Sequence, residues 1–346
     1  MYYKNKLLIP VLAIILVLAV GLSLKLRGSK DGDDSSFLPD ADEIEIIRSD
    51  EDYDFEIADD DSMRETVLYF KDKQGLLVPV MRRIPWEEGI AKLALRNMVD
   101  SPELRESLSS TGLSPIIPQG TKILGMAIDP ETGLCKVDFS REVLNVESKK
   151  DEENLINGVV YTLTEFPTIN EVQFLVEGES VPVFTHGTDT SKTFKRENIN
   201  LAGDLIEGAS KVMVYFKGKD YEENFEYYVP VTIPTLAPVP NMYTALELLF
   251  DGPPAGLDLS SDIPEGVNFH GVDVSGGTAY VDISFDYDYP EDVEVVLNGM
   301  VRNIGLTLSQ FTDIQEVELL VDGKTLEEAG LDIYINESIP TFANVY

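Results

Sequence analysis

The chain holds one thiol, Cys135, and two imidazoles, His186 and His270. A cysteine protease-like pair or a zinc site would need these groups, joined by further ligands or an orienting acid, to converge. The surrounding residues argue against convergence. Cys135 lies in GLCKVDFS (133–140), and a second stretch, GTAYVDIS (277–284), repeats that pattern with Ala279 in its place. A position that accepts Ala or Cys reads as a small buried strand residue, where a thiol is inert. His186 and His270 fall at non-equivalent places in the two halves. His270 aligns with Leu124 and is expected to be half-buried on a strand. No catalytic, cofactor-binding or metal-ligating set is assigned.

Carboxylates are far more numerous, 62 against 27 lysines and arginines. Such abundance makes any acidic pair weak evidence for glycosidase-type acid/base chemistry, which needs two carboxylates at a defined separation. Asp138 and Asp282 stand at the same position of the two matching stretches, so they carry either a shared binding role or a cap on the end of a strand. The segment Asp31–Asp42 has Ser36 and Asp42 where a calcium loop needs Gly and Glu, and fails that template. Asp286–Asp292 reads as a solvated acidic loop. Arg82 and Arg83 form a rare basic pair, suited to an acidic neighbour that includes a second copy of the chain. Trp86, the only tryptophan, is either a partner anchor or a staple between helix and sheet. Arg82, Arg83, Trp86, Asp138 and Asp282 are the candidate binding residues.

These residues sit in a chain of 346 residues with a formal net charge of -35 and 43% apolar content. It is long enough for two domains of about 100–200 residues each. The acidic excess disfavours nucleic acid, whose phosphates require clustered basic residues. One cysteine excludes an intrachain disulfide framework. Near the N-terminus, Lys4 and Lys6 precede an uncharged run, Leu7–Leu24. About 18 apolar residues lie between a signal-peptide core and a minimal membrane span. The expectation is an export signal, cleaved or retained as a single-pass anchor, over 1–27, with the bulk outside the cytoplasm at the cell membrane. Residues 28–63 are dominated by Asp and Glu and read as a disordered linker.

Beyond the linker the chain repeats itself. VVYTLTEFPTINEVQFLVEG (159–178) aligns without gaps on IGLTLSQFTDIQEVELLVDG (304–323). Upstream, TVLYF and LVPV (66–70, 77–80) match VMVYF and YVPV (212–216, 228–231), and IPQGTKILGMAID (117–129) matches IPEGVNFHGVDVS (263–275). Apolar spacing at Ile90, Leu93, Ala94 and Met98, and at Met242, Ala245, Leu246 and Leu249, predicts helices with one buried face. Asn241 is placed to cap the second of these. Alternating runs split by glycine predict hairpins. The fold class is α+β: two repeated small domains of β-α-β-β-α-β order, each a mixed sheet with helices on one face, behind an N-terminal membrane helix. The expected divisions are 64–184 and 210–330 for the domains, 185–209 for a connector and 331–346 for a tail.

This doubled pattern resembles the GerM-like sporulation and spore germination proteins, which carry two tandem GerMN domains behind a membrane signal. The likeness covers about residues 65 to 325. It implies an exported, non-enzymatic protein of the envelope between mother cell and forespore. There it would support a secretion-like channel complex, through domains similar to ring-building folds. Members typically bear a lipidated cysteine at the end of the signal. Leu18–Ser23 has none, so a transmembrane helix takes its place. The expected partners are envelope proteins of that channel complex, the chain itself, the membrane and peptidoglycan. Two other readings stay open: an accessory or enzyme of cortex peptidoglycan metabolism, and a wall- or glycan-binding module.

Overall fold

The alternating and helical segments resolve into two copies of one α+β plan in the computed structural model, which describes residues 62–346 apart from 206, 209, 221–224, 287 and 291. The expected membrane helix and the acidic linker up to residue 61 lie outside the described residues. Among those described, no helix is long and apolar enough to cross a membrane.

The first repeat opens on an antiparallel hairpin, β1 (Met63–Lys71) with β2 (Leu77–Pro85). Its turn is closed by Asp72, whose Oδ1 accepts from the N–H groups of Gln74 and Leu76, both at 2.8 Å. Two short helices follow, α1 (Ile90–Arg96) and α2 (Pro102–Leu108). Ser101 caps the latter by accepting from the Leu104 N–H, and Pro102 at the first helical position needs no donor of its own. Strands β3 (Ile123–Ile128) and β4 (Leu134–Phe139) pair antiparallel. The long helix α3 (Lys149–Leu163) then crosses over to β5 (Glu171–Val176), parallel to β4.

The second repeat runs in the same order: hairpin β6 (Ser210–Lys219) and β7 (Glu226–Thr235), helix α4 (Met242–Phe250), and β8 (Val267–Ser275) with β9 (Thr278–Phe285). Helix α5 (Val293–Leu308) leads to β10 (Glu316–Val321), and a short β11 (Lys324–Thr325) ends it. Asn241 caps α4 as its position predicts, accepting from the Thr244 N–H at 2.8 Å. No counterpart of α2 forms between α4 and β8. Both copies keep a β-bulge on the outer strand, at Leu124 in β3 and His270 in β8.

The architecture differs from the expected single sheet with helices on one face. Each repeat has two sheets, the hairpin and a second sheet of three or four strands. The long helix packs on both: α3 on β1 and β5, α5 on β6 and β10. The reason lies in the helix. In α3, buried residues run almost continuously from Asn154 to Leu163, and a helix apolar on most sides must be covered on most sides.

The two hairpins lie side by side, β2 against β7. Each facing strand carries a proline, Pro79 or Pro230, which has no N–H to offer a ladder. Two buried asparagines make the connection instead. Asn200, from the segment after the first repeat, accepts from the Leu77 N–H at 2.7 Å and donates to the Leu77 and Pro230 carbonyls, both at 2.8 Å. Asn344, from the segment after the second, accepts from the Tyr228 N–H at 2.7 Å. It donates to the Pro79 carbonyl at 2.7 Å and the Tyr228 carbonyl at 2.8 Å. Leu77 and Tyr228 are equivalent positions, so the two clasps are reciprocal. Around them one apolar cluster runs through both repeats.

Asn200→Ala or Asn344→Ala leaves several buried backbone groups without partners, and each is expected to cost about 2–4 kcal/mol in urea unfolding. A loss under about 0.5 kcal/mol, the range of an ordinary surface change, would remove the clasp from this account. Burial raises the Asp72 carboxyl above its usual range, its two turn bonds only partly offsetting that. A raised folded pKa means the acid favours folding at low pH and loses that contribution as pH rises through it. Asp72→Asn, which keeps the acceptor, should therefore raise Tm at neutral pH and bring no gain near pH 3.

Candidate docking surface

Arg82 and Trp86 stand at the end of β2 and in the loop beyond it, but they do different things. Arg82 lies between two rings, its guanidinium carbon 5.9 Å from the Phe70 centroid and 5.6 Å from that of Tyr346. It donates to the Ser107 hydroxyl at 3.2 and 3.3 Å. The Tyr346 hydroxyl in turn donates to the Ser107 carbonyl at 2.7 Å. Arg82 therefore helps seat the C-terminal residue on the first hairpin, and burial lowers its pKa. Arg83, next along the strand, is exposed.

Trp86 is not a staple. It is 58% exposed, and α1 begins only at Ile90, after Gly89 turns the chain at a φ of 83°. Its backbone is tied in, the N–H donating to the Ser62 carbonyl at 2.5 Å. The matching loop of the second repeat, between β7 and α4, exposes Leu236 (87%) and Val239 (62%). Both repeats thus present large apolar side chains to water where the hairpin hands over to the first helix. Scattered exposed apolar residues are ordinary on a protein surface. Their recurrence at the equivalent point of each repeat makes these two loops, one at each end of the hairpin seam, the candidate docking sites.

Asp138 and Asp282 belong to other sheets and share a structural task. Asp138 Oδ1 accepts from the Gly178 N–H, and Asp282 Oδ1 from the Gly323 N–H, each at 2.8 Å. Each carboxylate holds the turn after the last long strand of its repeat. His270 is exposed and meets the Ser284 hydroxyl at 2.8 Å. The expected half-burial fails because position 270, like exposed Leu124, sits on the bulge, where the side chain leaves the alternation of the strand. His186 contacts the Val146 carbonyl at 2.9 Å through Nε2. Its N–H, with the N–H and hydroxyl of Thr188, donates to the buried Glu152 of α3. That pins the connector to the helix.

Cys135 is fully buried in β4, and so is Ala279 in β9. Burial pushes the Cys135 thiol up to about 12. Among the described residues no group of His, Cys, Asp or Glu could hold a metal ion. The calcium-loop candidate at 31–42 lies outside them, as do residues 287 and 291 of the acidic loop. Asn200 and Asn344 were missed by composition and motif. Their signal is faint: each follows the turn glycine after its repeat's last long strand, Gly178 or Gly323, at nearly the same distance.

A doubled α+β unit whose equivalent polar residues hold turns, and whose equivalent loops expose apolar side chains, is the build of a tandem-repeat protein. The chain belongs to the Germane family of sporulation and spore germination proteins, whose model matches residues 67–182 and 213–327. It is 29% identical over 275 residues to the spore germination protein GerM of Bacillus subtilis strain 168, covering 76% of this chain and 72% of that one. The solved tandem GerMN domains of the sporulation protein GerM from Bacillus subtilis superpose with a TM-score of 0.66 at 26% identity. That match covers 82% of this chain and 99% of the other. The family places the protein in sporulation and spore germination, and it is not a family of known enzymes.

A thiol reagent should leave Cys135 untouched in the native chain and modify it only on unfolding, since the thiolate is the reactive form. Modification of the folded protein at neutral pH within minutes would contradict its place in the core.

Proposed function

We propose that this chain is a non-enzymatic scaffold of the sporulation envelope. It is tethered to the membrane by its N-terminal apolar run, with its folded part outside the cytoplasm. There it docks onto protein complexes between mother cell and forespore. The observation that carries this reading is the pair of loops exposing Trp86 in one repeat and Leu236 and Val239 in the other. Large apolar side chains displayed at an equivalent loop of each repeat mark protein contacts more often than chemistry. The residues that the two repeats hold in common support it, because Asp138 and Asp282 are spent on backbone turns. The outer strands β3 and β8 offer a second means of contact, since a strand at a sheet's end can take another strand. Their bulges restrain indiscriminate pairing.

The test is crosslinking of the full-length tagged protein in sporulating cells, followed by mass spectrometry, for the wild type and for Trp86→Ala combined with Leu236→Asp. The expected result is a set of links to membrane-complex proteins or to the chain itself. The variant should lose most of these while its unfolding free energy changes by no more than an ordinary surface change, about 0.5 kcal/mol. Links confined to cortex-processing enzymes, or links unchanged by the variant, would overturn the proposal.

A further inference from the structure

The two repeats also diverge beside their long helices, where the first holds a cavity. Between the start of α3 and the connector lies a pocket of about 510 Å³. Lys150, Lys192, Lys195, Asn157, Thr193 and Phe194 face it. Two carboxylates, Glu153 and Glu197, also line it, so the lysines are in excess. In a chain with 62 acids and 27 lysines and arginines, the sign of the lining is reversed.

The second repeat shows the matching side chains engaged. Thr162 aligns with Thr307, so Lys150, Glu153 and Asn157 align with Val295, Asn298 and Arg302. There Asn298 donates to the Tyr334 carbonyl at 3.0 Å and accepts from the Asn336 N–H at 3.1 Å. Arg302 donates to the Ala343 carbonyl at 2.9 Å. These side chains are spent on drawing the tail onto α5. Their counterparts in the first repeat are not: Lys150, Glu153 and Asn157 make no hydrogen bond or ion pair among the described residues. Lys195 reaches Glu171 only at 3.9 Å.

From this contrast we infer that the first repeat holds a binding site for a small carboxylated saccharide. The volume suits a disaccharide. Ammonium groups answer a carboxylate with charge-assisted hydrogen bonds. The free amide of Asn157 offers a donor and an acceptor together, which is what hydroxyl and acetamido groups require. Phe194 supplies the one aromatic surface. The inference is independent of the docking loops, none of whose residues line the pocket.

The test is calorimetric titration of the full chain with N-acetylglucosaminyl-N-acetylmuramic acid, against di-N-acetylchitobiose, which has the same size and acetamido groups but no carboxylate. A tripeptide, Ala-Glu-Lys, tests the peptide alternative. The acidic disaccharide should bind at least about tenfold more tightly than chitobiose, the effect of one charge-assisted contact. Lys150→Ala with Lys192→Ala should remove that advantage. Asn157→Arg, which imports the second repeat's closing residue, should abolish binding with Tm unchanged. Equal binding of chitobiose, binding of the tripeptide alone, or full binding by Asn157→Arg in a folded protein would each overturn the assignment.

Discussion

Two carboxamides hold this molecule in its form. Asn200 and Asn344 lie in the seam between hairpins whose prolines prevent a direct ladder, and each hydrogen-bonds backbone groups of both strands. A side-chain amide has the donor and acceptor of a peptide group, so it can complete a buried backbone pair that proline leaves open. The consequence is topological. The segment leaving the first repeat pairs with the second hairpin, where the Ala202 N–H donates to the Thr232 carbonyl. The segment leaving the second pairs with the first hairpin, where the Tyr346 N–H donates to the Met81 carbonyl. Connector and tail are therefore structural parts of the neighbouring repeat. Two small units that would each bury a modest core share one instead.

The same two segments also cover the sheets. Phe194 bridges to Val172 on the outer edge of β5, and Ser338 bridges to Glu316 on β10. That leaves β3 and β8 at the outer ends of their sheets, each interrupted by a bulge. Repetition thus extends beyond the strands and helices to the way edges are managed, with one edge sealed and the other blunted. Where the copies part company, function has room. The first repeat gained α2 and an open pocket beside α3, while the second spent the matching side chains on its own tail.

Legibility followed the range of the interaction. Helix α4 and its Asn241 cap could be read because a cap is settled within four residues. The pairing of β3 with β4 and of β8 with β9 was readable from alternation and glycine, and Cys135 could be assigned to the core because Ala279 occupies its place in the other copy. Trp86 was harder. Its type suggested burial or an anchor, and only the left-handed turn at Gly89, which delays the helix to Ile90, leaves it in water. His270 was misplaced for a related reason: a bulge inserts a residue into the count without marking it in the composition.

The sequence by itself determined that there are two copies of an α+β unit and that no reactive group is repeated between them. Both rest on local periodicity and on the comparison of one half with the other, while the sporulation family came from the resemblance of the doubled pattern to known proteins. The tertiary structure alone decided that the copies interlock, that each copy has two sheets around a central helix, and that a lysine-lined cavity sits in one copy where the other copy's matching helix side chains bond its tail. Each of these depends on groups far apart in the chain, such as Asn344 with Pro79 or Lys150 with Lys192. No spacing rule links such pairs, because they meet only after the hairpins have packed.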